Sequence, residues 1–275
     1  MLDQNKNIII ILIVLALFTG ATIELSEGST TMGIVLFIVA ALLMSRMTLT
    51  SNEGLKSSRN YLIIGGFIAA ADLIYNYVNK SDIGTLDSMV FFLGVSLMAM
   101  GTNKKDIKQM GELGFYISSV FTVLYLIFYS LFGFFNIDFL HLFDHYFVLM
   151  PTVALIKSFG IPVEIIAIET VILYGAVPMT IVIGGPCSGL YSMFLLIGIV
   201  AGYSRIERMN INQSSRLLGL AVLIAYLANL VRVVILYITA YLYGMDIMMM
   251  VHTHIGWIIF ALTAGGIMYI MNRKK

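Results

Sequence analysis

Cysteine is almost missing from this chain, which has one, Cys187, in 275 residues. A single thiol excludes an intrachain disulfide and any multi-thiolate metal site, so a function for Cys187 has to be that of a lone thiol. Charge is scarce as well. Charged residues make up 11% of the chain against 60% apolar, with a mean hydropathy of +0.96. No soluble globular surface has that composition, so most of the chain is expected in lipid. Length excludes a large additional soluble domain, because eight spans of about 20 residues use up most of it. Proline is confined to one stretch, at Pro151, Pro162, Pro178 and Pro186. The net charge of +1 carries nothing about partners; where the charges fall is what matters.

What is present in abundance is long apolar runs bounded by charge or turn residues. They cover 7–23, 31–45, 61–79, 83–101, 113–135, 188–204, 217–243 and 254–272. The first has only Lys6 before it and no small-residue cleavage site after it, so it is read as a first span rather than a signal peptide. The expected class is all-α: a polytopic integral membrane protein of about eight transmembrane helices. The expected layout is a single membrane domain over 1–275, with five spans in 1–135, an insertion at 136–186, and three motif-bearing spans in 187–275.

Basic residues orient it, since Lys and Arg accumulate on the cytoplasmic side. With the N-terminus inside, 13 of the 16 Lys and Arg fall in cytoplasmic segments, leaving Lys80 and Lys157 outside and Arg232 within a span. An even number of spans and the charge count agree on N-in, C-in, in the cell membrane.

The insertion at 136–186 is too long for a plain loop on the outer face. Its first part, 139–159, reads as an amphipathic or re-entrant helix. The stretch 163–185, rich in Ile, Val and Thr, reads as β-like or irregular structure leading to Cys187. Such backbone is tolerated at membrane depth only beside protein or a water-filled cavity.

Polar residues then converge on the outer side. Arg232 lies 15 residues beyond the inner end of its span, which at 1.5 Å per residue is roughly 22 Å along a path of about 30 Å. Cys187 precedes the sixth span, and His252 and His254 precede the eighth. A neighbouring imidazole or cation moves a thiol toward its nucleophilic thiolate. An always-charged guanidinium is a strong donor to a developing oxyanion. Asn229, one turn from Arg232, is placed to orient it. Pro186-Cys187-Ser188-Gly189 sets the thiol at a kinked helix start, with small neighbours whose backbone can approach a substrate.

Three segments in order, Gly184-Gly185-Pro186-Cys187-Ser188-Gly189, Asn229-Leu230-Val231-Arg232 and His252-Thr253-His254-Ile255-Gly256-Trp257, resemble the exosortase and archaeosortase family. That family has a Cys-Ser-Gly or Cys-Thr-Gly motif, an Asn-x-x-Arg motif and a His motif. The resemblance covers about 155–260, including Leu155-Ile156-Lys157-Ser158-Phe159-Gly160-Ile161-Pro162. It implies a cysteine transpeptidase acting on exported proteins that end in a short motif, a transmembrane helix and a basic tail. Cys187 would form a thioester resolved by a lipid or other acceptor, Arg232 would stabilise the oxyanion, and a histidine would move protons. The pattern His-x-x-x-Gly-Trp selects His252, with His254 as the fallback, and Ser188 and Gly189 support. Tyr191 stands where bacterial members often carry Arg, which leans to the archaeal branch. No cofactor, metal or nucleic acid is implied.

Two other chemistries compete. His141 and His145, at i and i+4, suit a metal-dependent intramembrane protease. Asp72, in the third span near Gly65 and Gly66, is the kind of residue a solute transporter uses.

Overall fold

The structure is a computed structural model that describes residues 34–35, 38–39, 42, 58–80, 84–103, 105–175, 177–183, 188–206 and 208–273. The expected span at 7–23 lies outside the described residues. Of the one at 31–45, residues 34–35, 38–39 and 42 are described, all helical. The chain is mostly helical, and it divides into two compact units.

One unit gathers the helices before Val123 with Phe194–Val222 and the chain from Ala264 onward. Helix α1 (Arg59–Asn79) starts where the Ser58 hydroxyl accepts from the Asn60 N–H at 3.3 Å, one of the orphan donors of a helix start. It ends at Lys80 in the left-handed region (φ 49). Helix α2 (Thr85–Met100) starts where the Gly84 N–H donates to the Asp87 carboxylate at 2.9 Å. The two approach backbone to backbone: a Cβ on Gly94 would stand 2.8 Å from the Ala69 nitrogen. Close helix approach through small residues is how apolar helices associate without a hydrophobic drive between them. Helix α3 (Lys105–Leu126) and helix α7 (Leu190–Ile206) do the same at Gly198, where a Cβ would meet Ile117 Cα at 2.9 Å. Phe121 and Phe194 pack edge to face beside that contact, with centroids 5.8 Å apart.

The other unit comprises Leu124–Met193 and Leu223–Thr263. Helix α3 runs on through a π-helical turn (Ile127–Leu131) into the short α4 (Phe132–Phe134). The expected helix at 139–159 is found as α5 (Phe139–Phe143), a second π turn (Asp144–Leu149) and α6 (Met150–Ser158). Pro151 has no N–H for the ordinary i→i−4 ladder, and the widened turn ends just before it. Stacked and tilted rings tie the two helical stretches, Phe128 to Phe139 at 4.5 Å and Phe132 to Phe139 at 5.2 Å. By length and composition Phe139–Ser158 is able to cross a membrane, beyond the re-entrant or amphipathic role the sequence suggests.

Gly160 (φ +77) stops α6, and three strands follow: β1 (Val163–Ile165), β2 (Thr170–Tyr174) and β3 (Pro178–Val182). This antiparallel sheet, order β1-β2-β3, is an addition that the all-α expectation does not carry, although the β-like reading of 163–185 anticipates strand content. The reason is alternation. Val163, Val171, Leu173 and Ile181 face one side, with Val163 opposite Leu173 and Val171 opposite Ile181. That face joins Leu149, Val153 and Ile156 and, from helix α8 (Ile211–Tyr243), Val233, Leu236, Tyr237 and Ala240 in one buried core. Pro178 sits at the first position of an edge strand, where its missing N–H breaks no ladder.

Gly244 (φ +85) separates α8 from α9 (Met245–Arg273). Helix α9 starts ahead of the expected position 254, so His252 and His254 lie inside a helix rather than before one. The stretch from Ile247 to Val251 is apolar enough to continue the helix, and Asp246 in the first turn complements its dipole. Among the described residues, Arg59–Asn79, Met110–Phe134, Phe139–Ser158 and Ile211–Tyr243 are long and apolar enough to span a membrane; Thr85–Met100 and Leu190–Ile206 are shorter apolar helices.

Candidate active site

Helix α8 carries Asn229 and Arg232 one turn apart, both buried at 8% and 9% exposure. The Asn229 side-chain amide donates to the Ser188 carbonyl at 2.7 Å. Ser188 in turn leads into α7, its hydroxyl accepting from the Leu190 N–H at 3.3 Å. Gly189 is held between them with φ +78, and a Cβ there would overlap the Asn229 carboxamide. Glycine is therefore required at 189 twice over, for conformation and for space. Cys187, together with Gly184, Gly185 and Pro186, lies outside the described residues.

Three residues further along α8, the Arg232 guanidinium lies over Gly256 of α9. A Cβ at 256 would be 3.0 Å from Nη2 and 3.2 Å from Cζ. His252 is one helical turn before Gly256 on the same face and half-buried, within reach of the Arg232 charge. His254 is exposed, about 200° around the helix from His252 at roughly 100° per residue. Ser188, Asn229, Arg232, Gly256 and His252 thus form a connected series in this unit. A confined cation and an imidazole beside it suit chemistry in which negative charge develops and a proton moves.

The histidines at 141 and 145 are engaged otherwise. His141 Nδ1 meets the Glu169 carboxylate, with Asp138 3.4 Å from its Nε2. His145 Nδ1 lies 2.7 Å from the Ile168 carbonyl, an acceptor, so this nitrogen carries the hydrogen. Both imidazoles fasten α5 and the second π turn to the β1–β2 connection. Among the described residues no three His, Cys, Asp or Glu side chains are grouped to hold a metal ion. Asp72 is partly buried on α1, which runs unbroken through Gly65 and Gly66, and Gly65 is an α2 contact rather than an unwinding point.

In the sequence Asp144 is visible only as part of the His141–His145 stretch, with no role of its own. It is 1% exposed, neither carboxylate oxygen has a hydrogen-bond partner, and it lines a cavity of about 670 Å³. The Ser188 hydroxyl is directed at it without reaching hydrogen-bond geometry. The signal available is an acidic residue within a helical stretch long and apolar enough to cross a membrane, a costly placement that usually marks function.

These features define a helical membrane protein with a buried Asn-Arg pair facing an imidazole. The chain matches the family model of the transmembrane exosortases (Exosortase_EpsH) over residues 8–269, and it belongs to that family. No curated protein matches it, and no solved structure does.

Proposed function

We propose that the chain is a cysteine transpeptidase that cleaves C-terminal sorting signals of exported proteins at the outer face of the cell membrane, as an archaeal-branch member of its family. A sorting-signal transpeptidase role fits the exosortase family. The observation that carries the assignment of residues is the series from Ser188 through Asn229 and Arg232 to Gly256 and His252. Tyr191, four residues after Cys187, supports the archaeal branch, and the concentration of Lys and Arg on the opposite side supports an outward site.

In this reading His252 accepts the Cys187 thiol proton, and the thiolate adds to the scissile carbonyl carbon. Arg232 donates to the oxygen as it becomes an oxyanion. The C–N bond breaks, His252 returns the proton to the departing amine, and a thioester remains on Cys187. An acceptor, a lipid or another nucleophile, then forms a bond to the acyl carbon as the C–S bond breaks. Asn229 and Gly189 position the Cys187 segment and leave the reacting atoms alone.

The test is processing of an exported protein bearing the motif, helix and basic tail in cells expressing variants. Cys187→Ser and Arg232→Ala chains should reach the membrane at normal levels and leave the tail uncleaved. Unchanged processing with Cys187→Ser overturns the reading.

A further inference from the structure

The inner face of the sheet builds the core, and one edge of it is left over. In an antiparallel ladder the backbone groups of successive residues point alternately to one side and the other. The Ile183 N–H donates to the Glu169 carbonyl at 2.8 Å, and the same phase continues through Ile181 opposite Val171 and Met179 opposite Leu173. The N–H and C=O groups of Thr180 and Val182 therefore point away from β2. The far side of β2 keeps the alternation, since the Tyr174 N–H donates to the Pro162 carbonyl at 3.0 Å and β1 occupies that edge. Among the described residues no strand pairs with the outer side of β3, and Thr180 and Val182 are exposed, Val182 at 60%. At the opposite edge β1 is short and Val163 is buried. Pro178 has no N–H, so it ends the row of free donors at the start of β3. Lipid cannot cover such a row, because hydrocarbon leaves backbone groups unsatisfied. A second extended backbone satisfies them at the two-residue spacing at which they stand.

Chain order says which backbone. Cys187 follows Val182 by five residues, at most about 18 Å of extended chain. After Cys187 comes α7, which in the proposed orientation leads inward from the outer face. The chain thus reads strand, cysteine, inward helix. A tailed exported protein reads the same way, as short motif, scissile bond and inward helix. Resting on the transpeptidase reading, we propose that the free edge of β3 docks the sorting motif, which joins the sheet as a fourth strand parallel to β3. Laid parallel, the residues ahead of the scissile bond pair with Thr180 and Val182, and the bond itself follows toward Cys187. An antiparallel peptide would send its helix back past Pro178, away from Cys187. Thr180 and Val182 are positioning residues here. They act through backbone N–H and C=O groups, so the edge selects an extended conformation and leaves side-chain choice to the two faces of the strand.

Binding is measured apart from turnover, with the full Cys187→Ala chain in nanodiscs and a synthetic peptide copying the motif and flanking residues of a tailed exported protein. The peptide's backbone nitrogens are methylated one at a time. Methylation should weaken binding about tenfold at every second residue, through loss of one hydrogen bond, and leave the residues between close to the unmodified peptide. A uniform loss, or none, overturns the strand pairing. On the protein side, Thr180→Pro removes an outward donor and no ladder bond, so the sheet stays intact while affinity falls about tenfold. Thr180→Ala, which keeps the N–H, should recover that affinity. A photoreactive p-benzoylphenylalanine in place of Thr180 should form adducts with peptide residues ahead of the scissile bond. Adducts beyond that bond contradict the parallel direction, and adducts with a second copy of the chain assign the edge to self-association; either result overturns the proposal. Because binding is read without Cys187, the two ideas fail separately: normal tail removal by Cys187→Ser sinks the transpeptidase reading with the alternation intact, and the alternation can fail with Cys187 still essential.

Discussion

The Asn229 amide holds the Ser188 carbonyl at 2.7 Å across the one point where Gly189 leaves room for it. The start of α7 is therefore fixed to α8 by a buried hydrogen bond, and Cys187 is the next residue out from that clamp.

Removing the clamp from either side should destabilise the protein, and the two changes should not add. Asn229→Ala leaves a buried carbonyl unsatisfied, at a cost of about 1–3 kcal/mol. Gly189→Ala forces a left-handed conformation and a clash with Asn229, with a similar or larger cost. Because the clash is with the Asn229 side chain, the double variant should recover part of the loss, with a coupling of about 0.5–3 kcal/mol. Thermal midpoints of the four proteins in one detergent check this; strict additivity would argue against the clamp.

Arg232 is held over Gly256, so a methyl group at 256 should act on the guanidinium. Gly256→Ala is expected to lower processing by up to about 10²-fold while the helix stays intact, since small misplacements of a catalytic donor are costly. Arg232→Lys should fail to restore activity, because an ammonium cannot reproduce the planar set of donors. Rates of tail removal measure both.

The two histidines of α9 should separate cleanly. His252→Gln should lose about 10²–10⁴ in rate as a proton carrier, whereas His254→Gln, on an exposed face, should stay close to wild type. Equal losses would mean that the helix, rather than one imidazole, is what matters.

The sheet is expected to be structural. Leu173→Ala, in a fully buried position, should cost about 2–5 kcal/mol, while Val182→Ala on the outer face should change little. Comparing their thermal midpoints decides it.

Much of the fold is legible in the sequence, for physical reasons. Long apolar runs force helices, so the runs at 61–79 and 217–243 end where α1 and α8 end. The helix at Phe139–Ser158 is readable from its apolar content, but the π turns are not, because they arise from how Pro151 and the aromatic ladder are accommodated. The start of α9 is harder to see, because the methionines at 248–250 resemble the approach to a span, while Gly244 is where the chain turns. Asn229 reads as an orienter of Arg232 from spacing alone, and the structure gives it a different partner in Ser188. Asp144 is easily overlooked between His141 and His145, whose spacing points to metal binding. Its burial is a property of packing, and no spacing rule reports it.

The central claim is that Cys187 forms the acyl intermediate. The direct measurement is mass spectrometry of the purified full chain after brief exposure to a tailed exported protein. The peptide containing Cys187 should carry the substrate's acyl fragment, release it to hydroxylamine, and lack it in Arg232→Ala. Continued tail removal by a Cys187→Ala chain, or an adduct on another residue, would contradict the account.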